Sequence, residues 1–326
     1  MLNAGDLILR KDVEIFEKNL ADYIGVKYAV ALNSCTDALY LALRALKIGP
    51  GDKVMVPSRT FVATAQAVVQ VGAIPVFYDL NDYSDEKIEN MRAIIPVHIE
   101  GTIQEEMGRL AKFCKEKDIC LIEDVAQALG ASQGGKMAGS FGDVGCFSFY
   151  PAKILGSLLG DAGALTTNNE KLSNWIRGAR NHFKETAEDW GINSRMDNPA
   201  AACLNIKFKY LPEILKIRQN IAEKYLNAFK KLEEEGKVKL PKNISGRVWQ
   251  DFIIQTSGKE ERNKLFEFLK EKGIETMKNN YPFPVPKMVL AQKYEDSTLR
   301  SPCNENLSNE EVDYVIEKIK EFYENT

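Results

Sequence analysis

The chain has 326 residues, enough for one large α/β domain and a smaller one. Hydrophobic residues at 44%, charged residues at 27% and a formal net charge of -3 are ordinary for a soluble globular protein and leave no basic excess for nucleic acid. The opening MLNAGDLILRKDVEIF puts Asp6, Arg10, Lys11 and Asp12 where a signal peptide needs an apolar core, and no apolar run reaches the ~20 residues of a membrane span, so a cytosolic protein is expected.

Six cysteines (Cys35, Cys114, Cys120, Cys146, Cys203 and Cys303) form no CxxC pair, which predicts reduced thiols. With only His98 and His182 and no HExxH, a zinc hydrolase is poorly supported and no metal is expected.

In chain order, DVEIFEKNLADYI (12–24) sets Val13, Phe16, Leu20 and Ile24 at helical spacing, and KYAVAL (27–32) reads as a buried strand. NSCTD then leads into a helix predicted from Ala38 to Leu46. Its N-terminus offers free N–H groups and a positive dipole end, which suits a phosphate; the same Asn/Ser/Thr pattern also serves as a plain helix cap. GPGD (49–52) is a turn, KVMVPS (53–58) a strand and TFVATAQAVVQVG (60–72) a helix closed by glycine. IPVFYDL (74–80), AIIPVH (93–98) and ICLIED (119–124) are further apolar strands, the last two separated by a helix with Thr102 and Glu105 as its capping box. Strands alternating with helices in this way predict a mainly parallel sheet.

A helix is expected from about Lys171 to Asn181. From Ala200 to Glu235 the pattern is long and helical, interrupted at Pro212, and it is expected to join a large domain, 1–215, to a small C-terminal one, 216–326. In the latter, RVWQDFIIQT (247–256) reads as a strand, EERNKLFEFLKEKG (260–273) as an amphipathic helix, and Ser308 with Glu311 caps a last helix ending near Glu324.

Two residues carry the chemistry. Strand ICLIED ends on Asp124, and about thirty residues later a second apolar strand runs into a turn that holds Lys153 between Pro151 and Gly156. In an open parallel sheet ligands sit outside the carboxyl ends of strands, so this acid and this lysine can face one cofactor. Pyridoxal 5'-phosphate fits that pairing: an amine can bind its aldehyde as a Schiff base, and a carboxylate beside the ring nitrogen keeps the ring protonated as an electron sink.

At these residues the chain resembles the DegT/DnrJ-type nucleotide-sugar aminotransferases, which are pyridoxal-phosphate enzymes of fold type I. The matching blocks are NSCTDAL (33–39), GPGDKVMVPSRTFVATAQAV (49–68), IIPVH (94–98), IEDVAQALGA (122–131), GDVGCFSFYPAKILG (142–156), RNH (180–182) and NSRMD (193–197). The resemblance implies an α/β fold: a large domain with a mainly parallel seven-stranded sheet between helices, plus a small α+β C-terminal domain. It implies Lys153 and Asp124 as catalytic residues and Gln127 as the partner of the cofactor's phenolic oxygen. Cys35, Thr36 and Ser148 would hold the phosphate, and Phe61 would stack on the ring. Asn193 would reach the phosphate of a neighbouring subunit, making a homodimer with shared sites.

The resemblance brings alternatives with it. Phe61 could be plain core, Ser148 an ordinary strand serine, and His182 either near the active site or bonded to a backbone carbonyl. Arg59, Glu100 and Tyr281 would lie around the substrate. Glu100 stands where the family's VHxYG pattern has tyrosine, and it could equally be a solvated loop acid; Cys35 stands where glycine is frequent. The implied reaction takes an amino group from L-glutamate, leaving 2-oxoglutarate, to a 3- or 4-keto deoxysugar on a nucleotide, giving an aminosugar for glycan or antibiotic-type pathways. Rival expectations are a regulatory or sensing relative that binds the cofactor without useful turnover, and a transferase acting on a cyclitol ketone.

Overall fold

The structure is a computed structural model that describes residues 5–80, 82, 84–278 and 288–325. Its elements run α1 (Lys11–Ile24), β1 (Tyr28–Leu32), α2 (Cys35–Ala45), β2 (Lys53–Pro57), α3 (Val62–Gln70), β3 (Ile74–Tyr78), α4 (Asp85–Ile88), β4 (Ala93–Ile94), α5 (Met107–Glu116) and β5 (Cys120–Asp124). There follow β6 (Ser132–Gln133), β7 (Lys136–Met137), β8 (Val144–Ser148), β9 (Gly163–Thr167), α6 (Glu170–Ala179), α7 (Asn198–Phe208) and α8 (Leu211–Glu234). The chain ends with β10 (Phe252–Gln255), α9 (Lys259–Glu271), β11 (Met277–Lys278), α10 (Val289–Ser297), β12 (Thr298–Ser301) and α11 (Asn309–Glu324).

Seven strands form one sheet in the order β1-β9-β8-β5-β4-β2-β3, and only β9 runs against the rest. Side chains alternate across a strand, and here both faces are apolar. On β1, Ala29 and Ala31 join the core under α1, α5 and α7, while Val30 and Leu32 join the core under α2, α3 and α6. Helix α1 buries Val13, Phe16, Leu20 and Ile24, the positions its spacing picks out, each contributing roughly 1.5–3 kcal/mol. It ends at Gly25, whose φ of 78° lets its N–H turn back to the Ala21 carbonyl.

A smaller α+β part holds a second core. The antiparallel sheet β10-β12-β11 packs with α8, α9 and α11 around Tyr225, Phe229, Phe252, Leu265 and Ile319. Along α8 the packing changes between Leu215, on the first core, and Ile217, on the second.

Several expected elements differ. The helical stretch from 200 is two helices, broken at Lys209 and Tyr210, with Pro212 in the first turn of α8, where its missing N–H needs no partner. Helix α2 starts at Cys35 instead of Ala38, because Ser34 caps it by accepting the Asp37 N–H at 3.1 Å. The predicted strand 247–256 is regular only as β10. Before it, Arg218 Nη1 donates to the carbonyls of Trp249 and Gln250, each at 3.2 Å, where strand pairing would otherwise take them.

The Thr102–Glu105 capping box does not form, whereas that of Ser308 and Glu311 does. Thr102 instead closes a short 3-10 turn, Ile99–Gly101, and α5 begins later, after Glu106. The Thr102 N–H goes to the Ile99 carbonyl at 3.0 Å, and distant side chains accept from other N–H groups of this stretch. Gln133 accepts from Met107 at 3.0 Å and His98 Nδ1 from Gln104 at 3.2 Å. Among the described residues no helix is long and apolar enough to cross a membrane.

Candidate active site

The carboxyl ends of β5 and β8 carry Asp124 and Ser148, with Lys153 in the turn that follows. Asp124, the last residue of β5, is buried. Its Oδ2 accepts the Thr64 hydroxyl of α3 at 2.8 Å, and its Oδ1 accepts the Ala126 N–H at 3.1 Å. Thr60 and Thr64 hydroxyls lie 2.8 Å apart; since Thr64 gives its proton to Asp124, Thr60 donates to Thr64. Burial pushes the Asp124 carboxyl up, and the Ala126 N–H, the Thr64 hydroxyl, Lys153 and His98 restrain that rise.

Lys153 sits in the turn after β8 and feels the charge of Asp124 most strongly among its neighbours. Burial lowers its ammonium pKa, against Asp124, Cys35 and Asp251, which favour the charged form. An amine that gives up its proton more readily than a surface lysine is a better nucleophile and base at neutral pH.

Helix α2 points its N-terminus at the same end. Ser34 takes the Asp37 and Ala38 N–H groups, and among the described hydrogen bonds those of Cys35 and Thr36 have no acceptor. Two free amides at a helix start suit a phosphate. Gly163 at the start of β9 lies against this turn. A Cβ there would fall 2.2 Å from the Ser34 carbonyl carbon and 2.5 Å from the Cys35 nitrogen. Ser148 ends β8 nearby in sequence to Lys153, its Oγ accepting the Tyr150 N–H at 3.3 Å. The Cys35 thiol is pushed well up by burial, then by Asp124 and Cys146, so it stays protonated and is no nucleophile.

Gln127 accepts the Glu100 N–H on its Oε1 at 2.8 Å, which leaves Nε2 as the donor end of that amide. Phe61, just before α3, is 59% exposed, so the plain-core alternative does not hold. This donor set fits pyridoxal phosphate: free amides for a phosphate, a carboxylate for a ring nitrogen, an amide donor for a phenolic oxygen, and an amine for an aldehyde.

A family model described as the DegT/DnrJ/EryC1/StrS aminotransferase family matches residues 1–320. The chain belongs to that family. The aminotransferase is 39% identical to the UDP-N-acetyl-3-dehydro-alpha-D-glucosamine 3-aminotransferase of Acidithiobacillus ferrooxidans, over 80% of this chain and 73% of that protein. It is 33% identical to the pleiotropic regulatory protein of Geobacillus stearothermophilus, over 99% of this chain and 92% of the other. The solved NtdA of Bacillus subtilis with bound cofactor PMP superposes with a TM-score of 0.90 at 29% identity, covering 99% of this chain and 80% of that one.

The candidate substrate residues of the aminotransferase divide. Arg59 and Glu100 are both buried and form an ion pair, so Glu100 is not a solvated loop acid. Arg59 also lies 4.1 Å from the centre of the Tyr294 ring, whose hydroxyl donates to Glu100 Oε2 at 3.3 Å. These three line a cavity of about 540 Å³ with Gln104 and Arg247. His182 and Asn193 are on the segment between α6 and α7 where Asn181 pairs with Asn193; both are exposed, and Ser194, next to Asn193, donates its hydroxyl to Asn33 Oδ1 at 3.0 Å. No described hydrogen bond, ion pair or ring contact joins His182 to Lys153, Asp124 or Gln127. Tyr281 lies outside the described residues.

Other groups around Lys153 carried no signal in the sequence. Asp251, Gln250 and Arg300 line one cavity of about 760 Å³ with Lys153, and Asp251 pairs with Arg300 at 3.4 Å. They lie about a hundred residues or more beyond Lys153, without a local pattern to mark them. Thr64 lies within a block that matched, but only the fold turns its hydroxyl to Asp124. Among the described residues no group of His, Cys, Asp and Glu is arranged to hold a metal ion.

Proposed function

We propose that this aminotransferase uses pyridoxal 5'-phosphate to move the amino group of L-glutamate to a ketone at carbon 3 or 4 of a deoxysugar carried on a nucleotide. The products are 2-oxoglutarate and a nucleotide-linked aminosugar. The pairing of Lys153, whose amine burial eases out of its charged form, with the buried, hydrogen-bonded Asp124 carries this function. The name of the Acidithiobacillus relative supports a nucleotide-linked keto sugar as the acceptor.

When bound, the cofactor supplies an aldehyde carbon and a ring that accepts electrons. Lys153 would hold that carbon and, with the donor bound, would take and return the proton at the donor's Cα. Asp124, fixed by Thr64 and Ala126, keeps a proton on the ring nitrogen. The Cys35 and Thr36 amides and the Ser148 hydroxyl hold the phosphate, Gln127 Nε2 donates to the phenolic oxygen, and Phe61 covers one ring face against water. Arg59, Glu100, His182 and Tyr281 stay candidates for substrate contact.

The same proposal includes a homodimer in the cytosol. Asn193 is exposed, and Tyr150, Leu158 and Leu159, on the chain around Lys153, are 52%, 70% and 58% exposed, as residues covered by a second copy would be. Residues 1–215 and 216–326 act as the cofactor and C-terminal domains, a division supported by the change of core within α8.

Borohydride added to purified protein with pyridoxal phosphate should fix the cofactor to Lys153 on peptide mapping, and Lys153→Ala should lose both the adduct and transfer from glutamate. An adduct that persists in the variant refutes the assignment. The name of the Geobacillus relative favours a second reading, a regulator that binds the cofactor without turnover. Repeated formation of 2-oxoglutarate with an acceptor rules that out, and offering dTDP-, UDP- and GDP-linked keto sugars beside a cyclitol ketone identifies the acceptor.

A further inference from the structure

Gln250 lies in the irregular stretch just before β10, yet its side chain holds the backbone on both sides of Lys153. Nε2 donates to the Ala152 carbonyl at 3.0 Å and Oε1 accepts the Ile154 N–H at 3.2 Å. One planar amide therefore spans the turn as a strand partner would. Gln250 is itself anchored. Arg218 Nη1 of α8 donates to the Trp249, Gln250 and Cys303 carbonyls at 3.2, 3.2 and 2.9 Å, and its guanidinium pairs with Glu305 at 2.7 Å. At the far end of the turn Lys207 Nζ donates to the Gly156 carbonyl at 2.8 Å. A Cβ on Gly156 would lie 2.1 Å from the Pro151 oxygen, so the turn is closed tightly.

We propose that Gln250 is a positioning residue: it fixes the direction in which the Lys153 side chain leaves the backbone, so that the C-terminal part of the chain aims the amine at Asp124. This rests on Lys153 being the lysine that holds the cofactor. The charged or titratable groups facing the amine are Asp124 on β5, Cys35 on α2, Asp251 before β10 and Arg300 on β12. Burial outweighs them and lowers the ammonium pKa. A loosened turn admits water to the amine and returns its titration toward that of a surface lysine.

The test uses the whole protein without added cofactor. Lys153 is acylated with trace acetic anhydride over a range of pH, and its peptide is quantified by mass spectrometry in wild type, Gln250→Met and Gln250→Asn. Methionine matches glutamine in length without polar atoms, and asparagine keeps an amide too short to reach both partners. The expected result is acylation that sets in at higher pH in both variants, faster hydrogen exchange at the Ile154 amide, and, with cofactor restored, kcat lowered about tenfold with KM for glutamate changed less than about twofold. Lys153 acylation at the wild-type pH in either folded variant overturns the proposal. Borohydride fixing of the cofactor to another lysine would defeat the assignment of Lys153 instead. The acylation profile, which needs no cofactor, would still measure the clamp.

Discussion

Thr64→Val separates the electrostatics of Asp124 from its packing. Valine nearly matches threonine in shape, so the change removes one hydroxyl from a fully buried site and leaves little cavity. That hydroxyl donates to Asp124 Oδ2 at 2.8 Å and accepts from Thr60 at 2.8 Å, a second contact whose loss is the same at every pH. A hydrogen bond to an ionised acceptor contributes about 1.5–3 kcal/mol and one to a neutral acceptor about 0.5–1.5. The sign follows from the raised carboxyl pKa. The native state binds this proton more tightly than the unfolded chain does, so the stability tied to Asp124 is complete at acid pH and falls as pH rises through the native pKa. Losing Thr64 raises that pKa further. The variant should therefore be less stable than wild type by about 2 kcal/mol above the native Asp124 pKa, and the gap should shrink by about 1 kcal/mol as pH falls below it. Urea unfolding of cofactor-free protein at a series of pH values, with Thr64→Ser as the variant that keeps the hydroxyl, measures this. A gap that stays constant with pH, or a serine variant as unstable as the valine one, refutes the reasoning.

Two further outcomes follow from contacts beside that site. Gly163→Ala drives a Cβ into the Ser34 and Cys35 backbone, so β9 or the start of α2 must shift; a loss of about 1–3 kcal/mol in urea unfolding is expected, with weaker pyridoxal phosphate binding by absorbance titration. Glu100→Ala leaves the buried Arg59 without its carboxylate and should cost about 3 kcal/mol by the same unfolding assay, where a solvated acid would cost almost nothing.

Much of the fold was legible because its signals are local. The spacing of Val13, Phe16, Leu20 and Ile24 marks a helix face whatever it packs on, and apolar strands between helices announce a buried parallel sheet. The Ser308 cap was legible for the same reason, since both partners lie within one turn. The Thr102 and Glu105 pattern failed because the Thr102 N–H is taken by the Ile99 carbonyl, closing a 3-10 turn that ends where the helix would have begun.

The site divides on the same line. Neighbouring residues alone mark Asp124 as the end of a strand and Lys153 as following another, and the blocks around them carry the family and its cofactor chemistry. What surrounds them comes from the packed fold: Thr64 on the carboxylate, Gln250 across the lysine turn, and Arg59 locked to Glu100. Backbone periodicity is written in neighbouring residues, whereas these hydrogen bonds and ion pairs join positions separated by 41 to 98 residues. Such partners leave no periodic trace along the chain, and it is packing that brings them within reach.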